Sequence, residues 1–309
     1  MITPALLPLL LVAFALPSIL AQVVSPYWRK PDITASPAER INLAGAALAK
    51  AVNQLNPAPQ FFRELLSLSL STRYNLTSLL SANATSGAVA GCKGSFYGQM
   101  AEFDLITKQT MWEKSLKTYF QVAQSAHVNF STTKTYGRAA ALAYAAYKDQ
   151  TFLDYAMQSW WFGRAYTLSQ DDVSAGRIST KNLSSLQEVC QNQTMVGGTF
   201  WLMDPVKPKL IPLSTGLSAL LAEATSDQLY LQAAIESRKF IQAHLHNDLN
   251  IVLEAIYAPQ NYSCDVINEI FPYNTGITIE GLSILAALIN DTETQNLLEQ
   301  ILAAAIPYS

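Results

Sequence analysis

The chain has 309 residues, a length suited to one large domain or two small ones. Half of its residues are hydrophobic and only 14% are charged, so there is ample material for a core. A formal net charge of -3 and a sequence pI near 5.6 give no basic footprint, which excludes nucleic acid as an expected partner.

The N-terminus has the pattern of a secretory signal peptide. Residues 5–20 are almost wholly apolar, and Ala21-Gln22 offers a small-residue cleavage site. The run is too short and too interrupted by proline for a membrane span, although no Lys or Arg precedes it. We predict a signal peptide over residues 1–21, a Pro-rich extended lead-in over 22–39 and one domain over 40–309, with no transmembrane segment. The alternative is a buried or anchoring N-terminal helix.

Seven Asn-x-Ser/Thr acceptor sites for N-glycosylation occur along the chain. Chance would give roughly two or three in a sequence of this composition. The excess favours a eukaryotic secretory route and an extracellular or cell-wall location, with each modified asparagine on the surface. The acceptors are Asn75, Asn83, Asn129, Asn182, Asn192, Asn261 and Asn290.

Three cysteines, Cys92, Cys190 and Cys264, predict one disulfide and one free thiol in an oxidising compartment. We favour a bond between Cys190 and Cys264, because both lie in polar loops that contain acceptor sites. The other pairings stay open, since connectivity does not follow from sequence.

An internal repeat organises the rest of the chain. Residues 149–159 and 227–237 share Asp, Gln, an aromatic residue, Leu, Ala and Ser in one register, with weaker copies at 109–115 and 295–301. Each copy follows a helical run of small residues, at 97–105, 136–147, 216–224 and 281–289. Strand-like alternation is nearly absent. Residues 38–53 and 61–70 add a further possible pair.

We interpret each repeat as a helix hairpin. A helix rich in Ala, Gly and Ser lies inside, a turn follows with Asp or a neighbour as N-cap, and an amphipathic helix lies outside. The positions Ala234, Ile241 and Leu245 fall on one helical stripe and should face the core. Such units cannot bury their faces alone, so the sequence predicts an all-α array or ring of stacked hairpins.

Several common sites are missing from the sequence. It has no G-x-S-x-G, G-x-G-x-x-G, P-loop or H-E-x-x-H motif. The three cysteines have no metal-ligand spacing, and His244 and His246 are two residues apart, so they point in different directions on a helix. Metal, nucleotide and serine-hydrolase chemistry are therefore not expected.

Two motifs lie among the hairpins. They are Gly197-Gly198-Thr199-Phe200-Trp201 and Tyr273-Asn274-Thr275-Gly276, the second running into a helix. Together with the repeat, over roughly residues 97–309, they resemble glycoside hydrolase family 76, the endo-α-1,6-mannanases, in its secreted fungal form. The resemblance implies an (α/α)6 toroid with a central carbohydrate cleft, no cofactor, an α-mannan-like polysaccharide as partner, and action as a monomer.

The motif residues suit sugar binding. A Gly197-Gly198 turn lets the backbone approach a ligand closely. Trp201 and Tyr273 offer flat apolar faces to sugar C–H groups, and Asn274 has donors and an acceptor for hydroxyls. The alternative is that the glycines form only a turn and that Trp201 is a core residue.

The chain departs from the family in two ways. The family's adjacent Asp pair before an inner helix falls at Lys134-Thr135, and residues 131–137 contain no carboxylate. Glycoside hydrolysis normally needs two carboxyl groups. The chain also stops soon after the fourth repeat, where a sixth hairpin would follow, so we expect a ring that is incomplete at the C-terminus.

Other carboxylates become the candidates for catalysis. Asp171 and Asp172 form an adjacent pair after Trp160-Trp161, with a solvated loop or a helix N-terminus as the alternative interpretation. Glu280 lies about one turn inside the helix after the Tyr-Asn motif, and Glu102 and Asp104 lie on the first inner helix. A carboxyl buried in an apolar cleft can have the raised pKa of a general acid.

The leading hypothesis is a secreted protein that hydrolyses α-1,6-mannosidic bonds of cell-wall mannan. One alternative is a catalytically inactive wall-binding protein on the same fold, which the Lys134-Thr135 replacement favours. A second alternative is an unrelated helical interaction module with an open groove, for which a closed ring would be contrary evidence.

Overall fold

The computed structural model describes residues 34–55, 87–126, 130–181, 183–201, 208–212 and 214–308. The predicted signal peptide, most of the lead-in and the segment 61–70 lie outside these ranges. Within them the chain is mostly helical. The helices are α1 Pro37–Gln54, α2 Gly87–Thr107, α3 Glu113–Ala126, α4 Phe130–Tyr147, α5 Gln150–Arg164, α6 Gln170–Ser174, α7 Ser214–Thr225, α8 Gln228–His244, α9 Pro272–Ile289 and α10 Thr292–Tyr308.

The start of each outer helix is set by a local cap. Asp149 accepts a hydrogen bond from the backbone N of Thr151 at 2.9 Å, and Asp227 accepts one from Leu229 at 2.8 Å. Each side chain satisfies one of the backbone donors that an α-helix leaves free at its N-terminus. The Asp caps predicted from the repeat are confirmed.

The helices form hairpins, as predicted. The inner helices α2, α4, α7 and α9 pack in succession, and the outer helices α3, α5, α8 and α10 each lie against an inner partner. Ala234, Ile241 and Leu245 are fully buried, which confirms the predicted stripe. Small residues allow the close packing: a Cβ at Gly137 would lie 2.6 Å from the side chain of Ser159.

Eight short strands interrupt the helices in the described part of the chain, which the sequence did not predict. Each is two or three residues long, too short for an alternating pattern to show. The strands are β1 Arg177–Ile178, β2 Leu183–Ser184, β3 Val189–Cys190, β4 Gln193–Thr194, β5 Thr199–Phe200, β6 Lys209–Ile211, β7 Ala255–Tyr257 and β8 Val266–Ile267.

The strands pair antiparallel in three sheets. Two are hairpins, β1-β2 and β3-β4, and the third has the order β5-β6-β7-β8. Phe200, Leu210 and Ile256 from the larger sheet pack with Phe240 of α8 in a core that is separate from the core of the helix hairpins. The sheet therefore forms a second packed layer over α8 and α9.

None of the helices in these ranges is long and apolar enough to cross a membrane.

Candidate functional site

The candidate site lies where the four-stranded sheet meets the beginnings of two inner helices. Strand β6 ends at Ile211, shortly before α7, and β8 ends at Ile267, shortly before α9. Pairing between β6, β7 and β8 holds both loops together. The N-terminal ends of helices carry partial positive charge, so this edge favours acceptor groups.

Glu254 lies directly before β7 and is only 9% exposed. Its Oε2 accepts a hydrogen bond from the Tyr273 hydroxyl at 2.7 Å and one from Asn274 Nδ2 at 2.6 Å. Both donors belong to the first turn of α9. Burial, with the neighbouring Glu254, raises the pKa of Tyr273 well above its ordinary value, so the phenol keeps the proton that it donates.

Two aromatic side chains are exposed at this edge, where α9 begins. Phe271 and Tyr273 are 37% and 48% exposed, and their rings stack with centroids 5.7 Å apart and planes 28° apart. Trp201 is also exposed, at 39%, so it is not the core residue of the alternative interpretation, but its backbone N pairs with Lys209 at the opposite end of the sheet. These faces are of the kind that the C–H groups of a sugar ring contact.

Gly276 lies one turn after Tyr273 on α9. A Cβ added there would meet no described atom within 4 Å. Glycine inside a helix costs about 1 kcal/mol relative to alanine, and no packing contact in the described structure explains it here. Its open flank leaves room beside Tyr273 for a ligand.

A second polar cluster lies on the facing surfaces of the inner helices. Arg138 of α4 donates to Glu280 of α9 through Nε at 2.6 Å and through a terminal nitrogen at 2.5 Å. The same terminal nitrogen lies 3.4 Å from Glu102 of α2. Burial raises the pKa of Glu102, and the charge of Glu280 adds to the effect while Arg138 opposes it. The two glutamates therefore share one cation.

Thr135, one of the two positions where the resemblance would place the family's acid pair, packs against α2. A Cβ at Gly94 would lie 2.7 Å from Thr135 Cγ2, so the two helices touch here. The side chain of Lys134 lies outside the described part of the structure. Arg138 follows Thr135 by about one helical turn, so a cation lies close to Thr135.

The structure gives two of the proposed carboxylates a role in holding helix ends. Asp172 accepts from both the backbone N and the hydroxyl of Ser169 in a capping box at the start of α6, and Asp171 is an exposed residue of the same first turn. Buried Asp104 accepts from the backbone N of Trp112 at 2.7 Å and from the Tyr147 hydroxyl at 2.8 Å. In the described structure none of the three forms a hydrogen bond or an ion pair with Arg138 or Glu280, and Asp172 and Asp104 are held at helix ends by the bonds above.

The Gly197-Gly198 turn packs closely on α8. Gly197 has φ 88°, and a Cβ there would collide with the backbone carbonyl of Glu236. A Cβ at Gly198 would lie 2.6 Å from the ring of Phe240. Close packing of the turn on α8 is the reason for both glycines.

Cys190 and Cys264 form a disulfide with an S–S distance of 2.08 Å, the pairing favoured from the sequence. It ties β3 to the loop before β8. The side chain of Cys92 is not among those described. Asn192, Asn261 and Asn290 are exposed, whereas the remaining predicted acceptors lie outside the described residues. Those acceptors are Asn75, Asn83, Asn129 and Asn182.

Across the described ranges, no three His, Cys, Asp or Glu side chains come together in a way that could hold a metal ion.

Two residues of the site were missed from the sequence, although each had a signal. Glu254 is the single charged residue in the apolar run 251–256, and Arg138 is the single charged residue in the small-residue helix 136–147. A lone charge in such a segment is costly to bury unless it has a partner. That cost marks both residues for closer inspection.

Comparison with solved structures identifies the class of fold. The family 76 α-1,6-mannanase of Salegentibacter sp. HEL1_6 superposes with a TM-score of 0.53 at 15% identity, over 67% of this chain and 59% of that one. An inactive variant of that enzyme has two adjacent aspartates replaced by alanine and α-1,6-mannotetrose bound. It superposes with a TM-score of 0.59 at 14% identity, over 85% of this chain and 69% of that one. The family 76 mannosidase Bt3792 of Bacteroides thetaiotaomicron superposes with a TM-score of 0.57 at 13% identity, over 86% of this chain and 71% of that one.

The similarity confirms the predicted (α/α)6 toroid of helix hairpins and excludes the unrelated open helical array. The chain spans about three fifths of the length of the first of these mannanases. Neither models of protein families nor curated protein sequences give a match. The chain thus has the fold of the family 76 mannanases. Sequence identities of 13–15% support a shared fold and nothing further.

Proposed function

We propose that this chain binds an α-1,6-linked mannan-type polysaccharide at the edge formed by the sheet and the N-terminal ends of α7 and α9. The observation that supports this most directly is the stacked, half-exposed pair Phe271 and Tyr273. It lies on a fold whose solved examples include a mannanase with an α-1,6-mannooligosaccharide bound.

The surroundings of the pair fit a sugar chain. Gly276 leaves an open flank one turn further along α9. Glu254 and the polar edge of Tyr273 supply hydrogen-bonding groups beside the aromatic faces. Apolar faces that alternate with fixed polar groups suit pyranose rings, which have C–H faces and hydroxyl edges.

A binding assay tests the proposal. Titration of the protein with α-1,6-mannan should give saturable binding, and Phe271→Ala should weaken it at least tenfold by removing one of the two stacked faces. Trp161→Ala is the matched control, because Trp161 is 53% exposed but lies on the outer helix α5. Equal losses in the two variants, or no binding by the unmodified protein, would contradict the proposed site.

Hydrolysis of α-1,6-mannosidic bonds is the second candidate, favoured by the pair Glu102 and Glu280. Their carboxyl oxygens lie within about 6 Å of each other, because both contact the same nitrogen of Arg138. Retaining glycosidases hold their carboxyl groups about 5–5.5 Å apart. The raised pKa of Glu102 suits a general acid.

Release of reducing ends from α-1,6-mannan tests this candidate. Glu102→Gln and Glu280→Gln should each abolish turnover, whereas Asp171→Asn and Asp172→Asn should change it little. Binding without turnover would leave a carbohydrate-binding protein on a glycosidase fold. Loss of turnover in an Asp171 or Asp172 variant would instead return catalysis to that pair.

We place the protein outside the cell. The signal-peptide pattern, the excess of N-glycosylation acceptors and the Cys190–Cys264 disulfide support this proposal. Expression through a eukaryotic secretory pathway should yield a product whose mass falls when N-glycans are removed enzymatically. A product retained inside the cell and unaltered by that treatment would contradict it.

A further inference from the structure

Glu254 is a buried carboxylate without a cation. In the described part of the chain it forms no ion pair with Lys, Arg or His, whereas Glu280 has Arg138 as its partner. Burying a carboxylate without a counter-charge is expensive, and a well-packed apolar residue would often be less costly. The run around it is apolar, since Leu253 and Ala255 on either side are buried. Core packing therefore does not explain a glutamate here.

The donors contact only one of the two oxygens of this carboxylate. Both hydrogen bonds, from Tyr273 and from Asn274, end on Oε2. No described side chain or backbone group donates to Oε1. Asn274 is 1% exposed and fixed at the start of α9, where its backbone N also donates to the Phe271 carbonyl at 3.0 Å. The carboxylate is thus oriented on one side and has acceptor capacity left on the other.

The position of Glu254 connects this acceptor to the aromatic faces. Tyr273 touches Glu254 through its hydroxyl while nearly half of its surface is exposed and its ring stacks on Phe271. A ring that packs on Phe271 and Tyr273 would bring its hydroxyl groups toward the polar end of Tyr273. Hydrogen bonds from neutral hydroxyls to a carboxylate are charge-assisted and stronger than those between neutral groups.

We propose that Glu254 is a specificity-determining residue that accepts hydrogen bonds from the hydroxyl groups of a neutral hexose unit stacked on Phe271 and Tyr273. The inference rests on the proposed function for the sugar class and goes beyond it by naming the acceptor. Tyr273 and Asn274 hold the carboxylate in position. The site selects neutral sugars with free hydroxyls and rejects anionic ones, because an acidic sugar would place two negative charges together.

The test compares Glu254→Gln with the unmodified protein in calorimetric titrations against a panel of polysaccharides. The panel holds α-1,6-mannan, other neutral α- and β-linked hexose polymers, and a polyuronate. Glutamine keeps the shape and can still accept from Tyr273 and Asn274, but presents a donor in place of the second acceptor. We expect at least tenfold weaker binding of the preferred neutral polymer and no binding of the polyuronate.

Two further variants keep the test decisive. Glu269→Gln is the control, since Glu269 is exposed and contacts Glu254 only through its backbone carbonyl, 3.1 Å from the Glu254 N. The affinity of this variant for the polymer should equal that of the unmodified protein. Tyr273→Phe keeps the ring and removes one donor from Oε2, so it should weaken binding a few-fold even if Glu254→Gln does not fold. Thermal unfolding confirms that each variant is folded.

The outcomes separate the inference from the proposed function. Mannan binding that is equal in Glu254→Gln and the unmodified protein overturns the inference and leaves the proposed function standing. Binding of a different neutral polymer, weakened by Glu254→Gln, supports the inference and contradicts mannan as the ligand. Tight binding of the polyuronate, or no binding to any polymer, overturns the inference.

Discussion

Helix α9 contains two glycines with opposite surroundings, and they give a direct test of how the inner helices pack. A Cβ at Gly281 would lie 2.8 Å from Thr215 Cγ2 and 3.0 Å from the backbone N of Gly216. Because part of this contact is backbone, α7 and α9 would have to separate. Overpacking of this kind costs about 1–3 kcal/mol, and the better helix propensity of alanine offsets about 1 kcal/mol. We expect Gly281→Ala to lower the free energy of unfolding by up to about 2 kcal/mol.

Gly276 is the matched control on the same helix. A Cβ there meets no described atom within 4 Å, so Gly276→Ala changes only the helix propensity and the entropy of the unfolded chain. It should raise the free energy of unfolding by about 0.5–1 kcal/mol.

Urea unfolding of the two variants and the unmodified protein measures the difference. The midpoint should fall for Gly281→Ala and rise for Gly276→Ala, with the same dependence of the free energy on urea concentration. A shift of the urea midpoint in the same direction for both variants would refute the reasoning. It would show that glycine propensity, and not the close approach of α7 and α9, decides the outcome.

Three further predictions concern stability. Replacing Cys190 and Cys264 by serine frees a loop of 74 residues and should lower the free energy of unfolding by about 4 kcal/mol; unchanged stability of the double variant would contradict this. Burial lowers the pKa of His244, although its hydrogen bond to the Thr194 carbonyl opposes the shift. The contribution of neutral His244 to the free energy of unfolding is therefore complete above the unfolded pKa near 6.5, and it is lost as the pH falls from there through the folded pKa. Unfolding measured between about pH 7.5 and 5 should depend less on pH in His244→Gln, and an unchanged slope would argue against burial as the cause. Asp104→Ala should cost about 2–4 kcal/mol by leaving a buried N–H and a hydroxyl without their acceptor, whereas Asp104→Asn should cost less; equal losses in denaturant unfolding would contradict that account.

The helix hairpins were predictable because their signals are local. Spacing of apolar residues, an Asp cap such as Asp149, and runs of small residues all act within about one or two helical turns. The repeat added the order of the elements. An all-α array or ring followed from the same signals, since hairpins of this type bury their faces only by stacking, whereas the (α/α)6 toroid was implied by the family resemblance.

The sheet and the central contacts of the site were not predictable in the same way. Strands of two or three residues leave no periodic pattern, and β6 pairs with β7 across more than forty residues of chain. The partner of Glu254 lies on α9, and the partner of Arg138 lies 142 residues away. Such contacts depend on how the helices are arranged, so the sequence showed only that a lone charge stood in an apolar segment.

The packing around Thr135 bears on the missing acid pair, which the family resemblance would place at Lys134-Thr135. Thr135 packs on Gly94, where an added Cβ would lie 2.7 Å from Thr135 Cγ2, so the close approach of α2 and α4 depends on the glycine. One turn further along, Arg138 binds Glu280 through two hydrogen bonds. Restoring one aspartate at Thr135 would place it near a cation that is already shared by two glutamates. The proposed hydrolysis therefore relies on Glu102 and Glu280, whereas the proposed binding at Phe271, Tyr273 and Glu254 does not involve the residues around Arg138.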